Sequence, residues 1–119
     1  MDAKKKRQLR LRRHSRLRKK VKGTATRPRL VVYKSLNHFY AQAIDDVAGN
    51  TIVAANSLMT EELKKSGGNI KTAVGVADLF AERAKKAGVI EVVFDHGGFG
   101  YRGKIREFAD TLRKKGLKF

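Results

Sequence analysis

Residues 69–94 read NIKTAVGVADLFAERAKKAGVIEVVF, and this stretch decides the fold. Asn69 is a good helix N-cap, because its side-chain oxygen can accept from a first-turn amide. From it Ile70, Ala73, Val74, Ala77, Phe80, Ala81, Ala84 and Ala87 recur at helical spacing, and Gly88 stops the helix. So many alanines point to close packing on a sheet. The β-branched run Val89, Ile90, Val92 and Val93 then predicts a strand ending at Phe94. A strand entered from a crossover helix is expected to lie parallel to its neighbour.

Working back toward the N-terminus, three short strands precede this unit. Leu30 to Tyr33 is an apolar run, expected to be buried on both faces or nearly so. After the polar connection Lys34 to His38, residues 39–46 alternate, with Phe39, Ala41, Ala43 and Asp45 on one face and Tyr40, Gln42, Ile44 and Asp46 on the other. Ala48-Gly49-Asn50 turns the chain, and Thr51 to Ala55 returns, giving an antiparallel meander. Ser57 to Lys65 reads as a short helix or helical turn before the Ser66-Gly67-Gly68 break. Working forward, Ile105, Phe108, Ala109 and Leu112 define a last helix, with Gly116 as its cap and Leu117 and Phe119 folding back. The expected fold is α/β, with a mixed sheet in the order βββαβα.

Charge divides the chain in two. The formal net charge is +17 over 119 residues. Residues 1–29 hold 14 Lys and Arg against the single acid Asp2, a net of +13. The remaining 14 cations face 10 acids, a net of only +4. A basic arm over 1–28 therefore joins a nearly ordinary domain over 29–119. Such a charge makes a polyanion the expected partner. The arm has good helix formers from Lys4 to Lys22 but no continuous apolar stripe, and its like charges repel. It is expected to be partly disordered until phosphates relieve that repulsion. Its lack of bulky apolar anchors argues against a membrane-surface helix. The absence of cysteine removes thiol chemistry and disulfides, and no secretory signal is visible, so a cytoplasmic location is expected.

Between the fourth strand and the last helix lies Phe-Asp-His-Gly-Gly-Phe-Gly-Tyr-Arg-Gly, residues 94–103. Ligand sites in open α/β sheets fall at such strand ends. Gly98 and Gly103-Lys104 have phosphate-loop spacing, but Ile105 stands where a magnesium-binding hydroxyl is required. The dinucleotide pattern over 98–103 comes too late in the chain for a second βαβ unit to supply the ribose-binding acid. Phe99, Tyr101 and Arg102 on a glycine-rich loop instead suit RNA, through stacking and sugar–phosphate contacts. Asp95 is expected to brace the loop by accepting backbone N–H bonds. Asp45, Asp46 and Asp95 raise the alternative of a metal-dependent nuclease. Against it, alternation puts Asp45 and Asp46 on opposite faces, and both precede a turn, where Asp commonly bonds locally. His14, His38 and His96 have neither ligand spacing nor a nucleophile partner.

Arg27 to Val32, Asn37 to Asp46, Phe94-Asp95-x-Gly97-Gly98 and the ending Gly116 to Phe119 resemble the bacterial ribosomal protein L eighteen family, over essentially the whole chain. The resemblance implies a three-layer α/β/α domain with ribonuclease-H-like topology and no catalysis, cofactor or metal. It implies binding to 5S rRNA beside 23S rRNA in the central protuberance, near ribosomal protein L five, and a monomer when free. RNA contacts would then fall on Arg7, Arg10, Arg12, Arg13, Arg16, Arg18, Lys19, Lys20 and Arg29. They would continue on Ser35, Asn37, His38, Tyr40 and Gln42, and on His96, Gly97, Gly98, Tyr101, Arg102 and Lys104. The family often has Arg, Tyr and His where this chain has His96, Phe99 and Arg102.

Overall fold

The computed structural model describes residues 2–119. Its elements are α1 (Ala3–Arg18), β1 (Arg29–Lys34), β2 (Phe39–Asp45), β3 (Asn50–Asn56), α2 (Glu61–Lys65), α3 (Ile70–Lys86), β4 (Val93–Asp95) and α4 (Lys104–Lys114). The sheet order is β3-β2-β1-β4. β1 pairs antiparallel with β2, as β2 does with β3, while β4 joins β1 in parallel. The mixed sheet and the βββαβα order follow the sequence reading, with α1 added in front.

Local chemistry sets the boundaries. The Asn69 side chain accepts from Thr72 N at 3.0 Å to start α3, and the Thr60 hydroxyl accepts from Leu63 N at 3.1 Å to start α2. Residues 57–60 therefore form a turn rather than helix. β4 is shorter than the expected Val89 to Phe94. β1 begins only at Arg29, and Pro28 ahead of it can accept, as it does from Val93 N at 2.9 Å, but has no N–H to donate. Residues before Val93 turn instead to the C-terminal tail: Val92 N donates to Lys118 O, and Lys118 N to Ile90 O, both at 3.0 Å.

The core lies between one sheet face and two helices. Leu30, Val32, Phe39, Ala41, Ala43, Val53 and Ala55 meet Ala73, Val76, Ala77 and Phe80 of α3 and Ile105, Phe108 and Leu112 of α4, all buried. Phe108 centres it, 5.0 Å from the Phe39 ring and 6.3 Å from Phe80. Burying each such side chain contributes about 1.5–3 kcal/mol. The buried stripe of α3 is rotated slightly from the expected one: Val76 is buried, while Val74 is half-buried and Ile70 exposed.

The opposite face carries Arg29, Val31 and Tyr33 of β1, and Asp95 joins them because it pairs with Val31. There the apolar reading of β1 needs correction: Tyr33 is 49% exposed, since only Leu30 and Val32 point to the core. α1 lies against this second face at the β4 end, contacting Asp95 and the loop after it, so helices flank both sides of the sheet. The arm that the sequence reads as partly disordered is thus a docked helix, its start capped by Asp2, whose side chain accepts from Lys5 N at 2.7 Å.

Candidate nucleic-acid interface

α1 has two faces with different tasks. On the inner one, Arg10 Nη1 donates to Gly97 O at 3.2 Å, and Arg13 Nε donates to Gly98 O at 3.0 Å. His14 Nε2 donates to Asp95 Oδ2 at 3.0 Å. The Arg10 guanidinium also lies 4.7 Å from the Phe99 ring centre and 5.5 Å from Tyr33, within cation–π range. Gly98 makes this approach possible. Its φ is +78°, and a Cβ there would collide with the carbonyl oxygen of Arg10 and stand 2.9 Å from His14 N. Gly97 and Gly98 are therefore buried under the helix, holding the arm through their carbonyls.

Beneath α1 runs a chain of charges. Arg29 donates through Nη1 to Asp95 Oδ2 at 2.8 Å, through Nε to Asp46 Oδ2 at 2.9 Å and through Nη2 to Asp46 Oδ1 at 3.2 Å. Arg18 approaches the same Asp46 at 3.6 Å. The bidentate Arg29 contact, with Gly23 N and the Arg18 charge, holds the Asp46 carboxyl below the usual carboxylate range, against a burial effect of opposite sign. For Arg29, burial works against the charge, but the bonds from Asp46 and Asp95 outweigh it and raise the guanidinium further. Arg29, only 7% exposed, is thus buried between two carboxylates and is not among the exposed cations.

The same residues account for the suspected nuclease carboxylates. Asp45 accepts from Val47 N and Ala48 N at 3.0 and 3.2 Å, a turn-capping role. Asp46 and Asp95 share Arg29, and Asp95 also braces the loop by accepting from Gly97 N at 2.9 Å. Among the described residues, no group of three or more His, Cys, Asp or Glu is placed to hold a metal ion.

The outer face of α1 presents Arg12 and Arg16, followed by Lys19 and Lys20, and Arg7 lies one turn before Arg10; all five are exposed. None of the five is within ion-pair distance of a carboxylate among the described residues. At the far end of β1, Ser35 Oγ accepts from His38 N at 3.2 Å, closing a turn that leaves Asn37 exposed. His38 Nδ1 sits 3.0 Å from the buried Ser57 hydroxyl, which fixes its ring 6.4 Å from Tyr40. Tyr40 and Gln42 line the open sheet face with Tyr33, whose ring is 6.0 Å from Tyr40 and 5.8 Å from Phe99. Between them lies a shallow concavity of 330 Å³, walled by Val31, Tyr33, Tyr40 and Gln42.

On the loop, Tyr101 is 43% exposed and its hydroxyl accepts from Arg113 Nη1 at 2.7 Å. Arg102 is exposed, Lys104 opens α4, and His96 is half-buried with its Nδ1 unpartnered among the described residues. Two residues of this candidate surface escaped the sequence reading, Tyr33 and Lys34. Strict alternation from Leu30 and Val32 would have turned Tyr33 outward. No pattern places the Lys34 ammonium 5.5 Å from the Phe99 ring.

Fold and surface together define a strongly cationic α/β protein whose open, acid-poor side suits a polyanion. The chain matches the family model described as Ribosomal L18 of archaea, bacteria, mitochondria and chloroplast over residues 4–119. It is 56% identical to the large ribosomal subunit protein uL18 of Aquifex pyrophilus over 117 residues, covering 95% of this chain and 94% of the relative. The corresponding protein of Aquifex aeolicus is 55% identical with the same coverage. That of Solibacter usitatus is 47% identical over 114 residues, covering 96% and 95%. The chain belongs to the ribosomal L18 family. It is a ribosomal protein of the large subunit, and RNA binding and a part in translation follow from that membership.

Proposed function

We propose that the chain is a non-catalytic, structural constituent of the large ribosomal subunit that binds 5S rRNA and helps attach it to 23S rRNA in the central protuberance, beside ribosomal protein L five. The observation that carries the RNA contact is the outer face of α1. Arg7, Arg12, Arg16, Lys19 and Lys20 stand exposed without carboxylate partners among the described residues, on and just after a helix seated on the domain. A cationic helix held in this way suits phosphate binding, because little ordering entropy remains to be lost on contact. The turn at Ser35, Asn37 and His38, the face of Tyr40 and Gln42, and the loop at Tyr101, Arg102 and Lys104 complete the surface that RNA would meet. Arg10, Arg13, Gly97 and Gly98 act one step back, holding α1 in place.

A competition gel shift tests this reading, with labelled 5S rRNA against transfer RNA. Preference for 5S rRNA is expected; equal affinity would reduce the chain to a general polyanion binder. If about 6 to 10 phosphates are neutralised, affinity falls by about 10³ to 10⁵ between about 50 and 200 mM salt, by analogy with duplex DNA. Arg12→Ala and Arg16→Ala should each lower the salt slope by about 1.

A further inference from the structure

Lys34, at the end of β1, has its ammonium 5.5 Å from the centre of the Phe99 ring, and the Arg10 guanidinium approaches the same ring at 4.7 Å. Arg102 and Lys104 are near enough to act on Lys34 by charge repulsion. Two cations thus meet at one aromatic ring, from α1 and from the end of β1, while the glycine loop and the start of α4 add the charges of Arg102 and Lys104. None of the four is ion-paired with a carboxylate among the described residues. Glu107, on the first turn of α4, forms no ion pair there either.

Resting on the proposed RNA reading, we propose that Lys34, set at the Phe99 ring beside Arg10, seats one backbone phosphate of the bound RNA, with Arg102 and Lys104 adding positive charge from the loop and α4. The contrast with Arg29 supports this. Arg29 is also drawn from water, but it has two carboxylates to balance it. Lys34 has only other cations. Burial, and then Lys104 and Arg102, push its ammonium below the usual lysine range. A bound anion supplies the missing countercharge and reverses that shift. The surroundings favour an RNA phosphate over a small free anion. The neighbouring residue Tyr33 opens onto the 330 Å³ concavity, whose aromatic and amide walls offer a surface to the nucleoside attached to that phosphate.

The test is titration of the full chain with 5S rRNA at several salt concentrations, comparing wild type with Lys34→Gln, Lys34→Arg and an α3 control, Lys71→Gln. Lys34→Gln should bind about tenfold more weakly and lose about 1 from the salt slope. Its melting temperature without RNA should equal or exceed that of wild type. Lys71→Gln should keep both binding parameters. As the pH rises toward the ordinary lysine value of about 10.4, wild-type affinity should decline more than that of Lys34→Arg, whose guanidinium stays charged.

Unchanged affinity and slope in Lys34→Gln, while Arg12→Ala and Arg16→Ala reduce both, would overturn the seat and leave the RNA reading standing. Loss of 5S rRNA preference in the wild type would overturn that reading itself, and the seat with it. A titration with inorganic phosphate separates the remaining source. If phosphate perturbs the Lys34 resonances while Lys34→Gln leaves RNA binding intact, the seat belongs to a free anion and the proposal fails.

Discussion

The Arg29 guanidinium and the Asp95 carboxylate meet at 2.8 Å in a place where the Asp95 side chain has no solvent exposure. The oxygen that receives Arg29 also receives His14 from α1 at 3.0 Å. One carboxylate therefore joins the sheet and the arm through Oδ2 and the loop after β4 through Oδ1. Removing a partner from such a buried group leaves a charge without compensation, which costs far more than the intact pair contributes.

Arg29→Ala should accordingly destabilise the protein by about 3–5 kcal/mol, because it removes the buried guanidinium that Asp95 and Asp46 share. Urea unfolding gives the number. A loss under 1 kcal/mol would show that water reaches these carboxylates freely.

Gly98→Val should release α1 while leaving the domain folded. The side chain would press on backbone atoms of Arg10 and His14, which cannot give way as a flexible side chain could, and the φ of +78° disfavours valine in any case. Hydrogen exchange should show amides of residues 6–17 losing protection with those of α3 unaffected. Protection retained in α1 would contradict the docking role of this glycine.

Acid should weaken the attachment through Asp46. Its carboxyl is held below the ordinary range in the folded protein, so the stability it contributes is complete above its unfolded value of about 3.9. That contribution is lost as the pH falls through the folded value. Asp46→Asn should be less stable than wild type near neutral pH, with the gap in urea midpoint closing as the pH drops below about 4. A gap independent of pH would assign the loss to geometry instead of charge.

Phe108→Ala should cost about 3–5 kcal/mol, since that ring touches both Phe39 and Phe80 at the centre of the core. Melting by circular dichroism tests it. A shift comparable to that of an exposed α4 residue such as Arg106→Ala would contradict the central position.

Much of this fold was legible because its signals are local. Asn69 caps, Gly88 terminates, and Phe39 to Asp45 alternate as an isolated segment would suggest. The site was legible in composition but not in arrangement. Arg10, Arg12 and Arg13 look alike in sequence, yet Arg10 and Arg13 donate to the loop and Arg12 faces water. That division depends on where a helix with no apolar stripe comes to rest, and the resting place is fixed by backbone carbonyls at Gly97 and Gly98. Carbonyls have no sequence letter. The Arg29 network was hidden for a related reason: its two partners lie 17 and 66 positions away from it, His14 lies 81 positions from the Asp95 it shares, and no short-range pattern links them.

The seating of Arg10 and His14 on Gly98 also bears on transplantation. Residues 1–28 look like a cassette that could be fused to any domain to confer RNA affinity. Moved alone, that segment would forfeit the carbonyls that orient Arg10 and Arg13, the carboxylate that anchors His14, and the Asp46 contacts that tether Gly23. Its charge would travel, and its aim would not. A faithful chimera must carry residues 94–103 and Asp46 along with the arm, as the two halves of one joint.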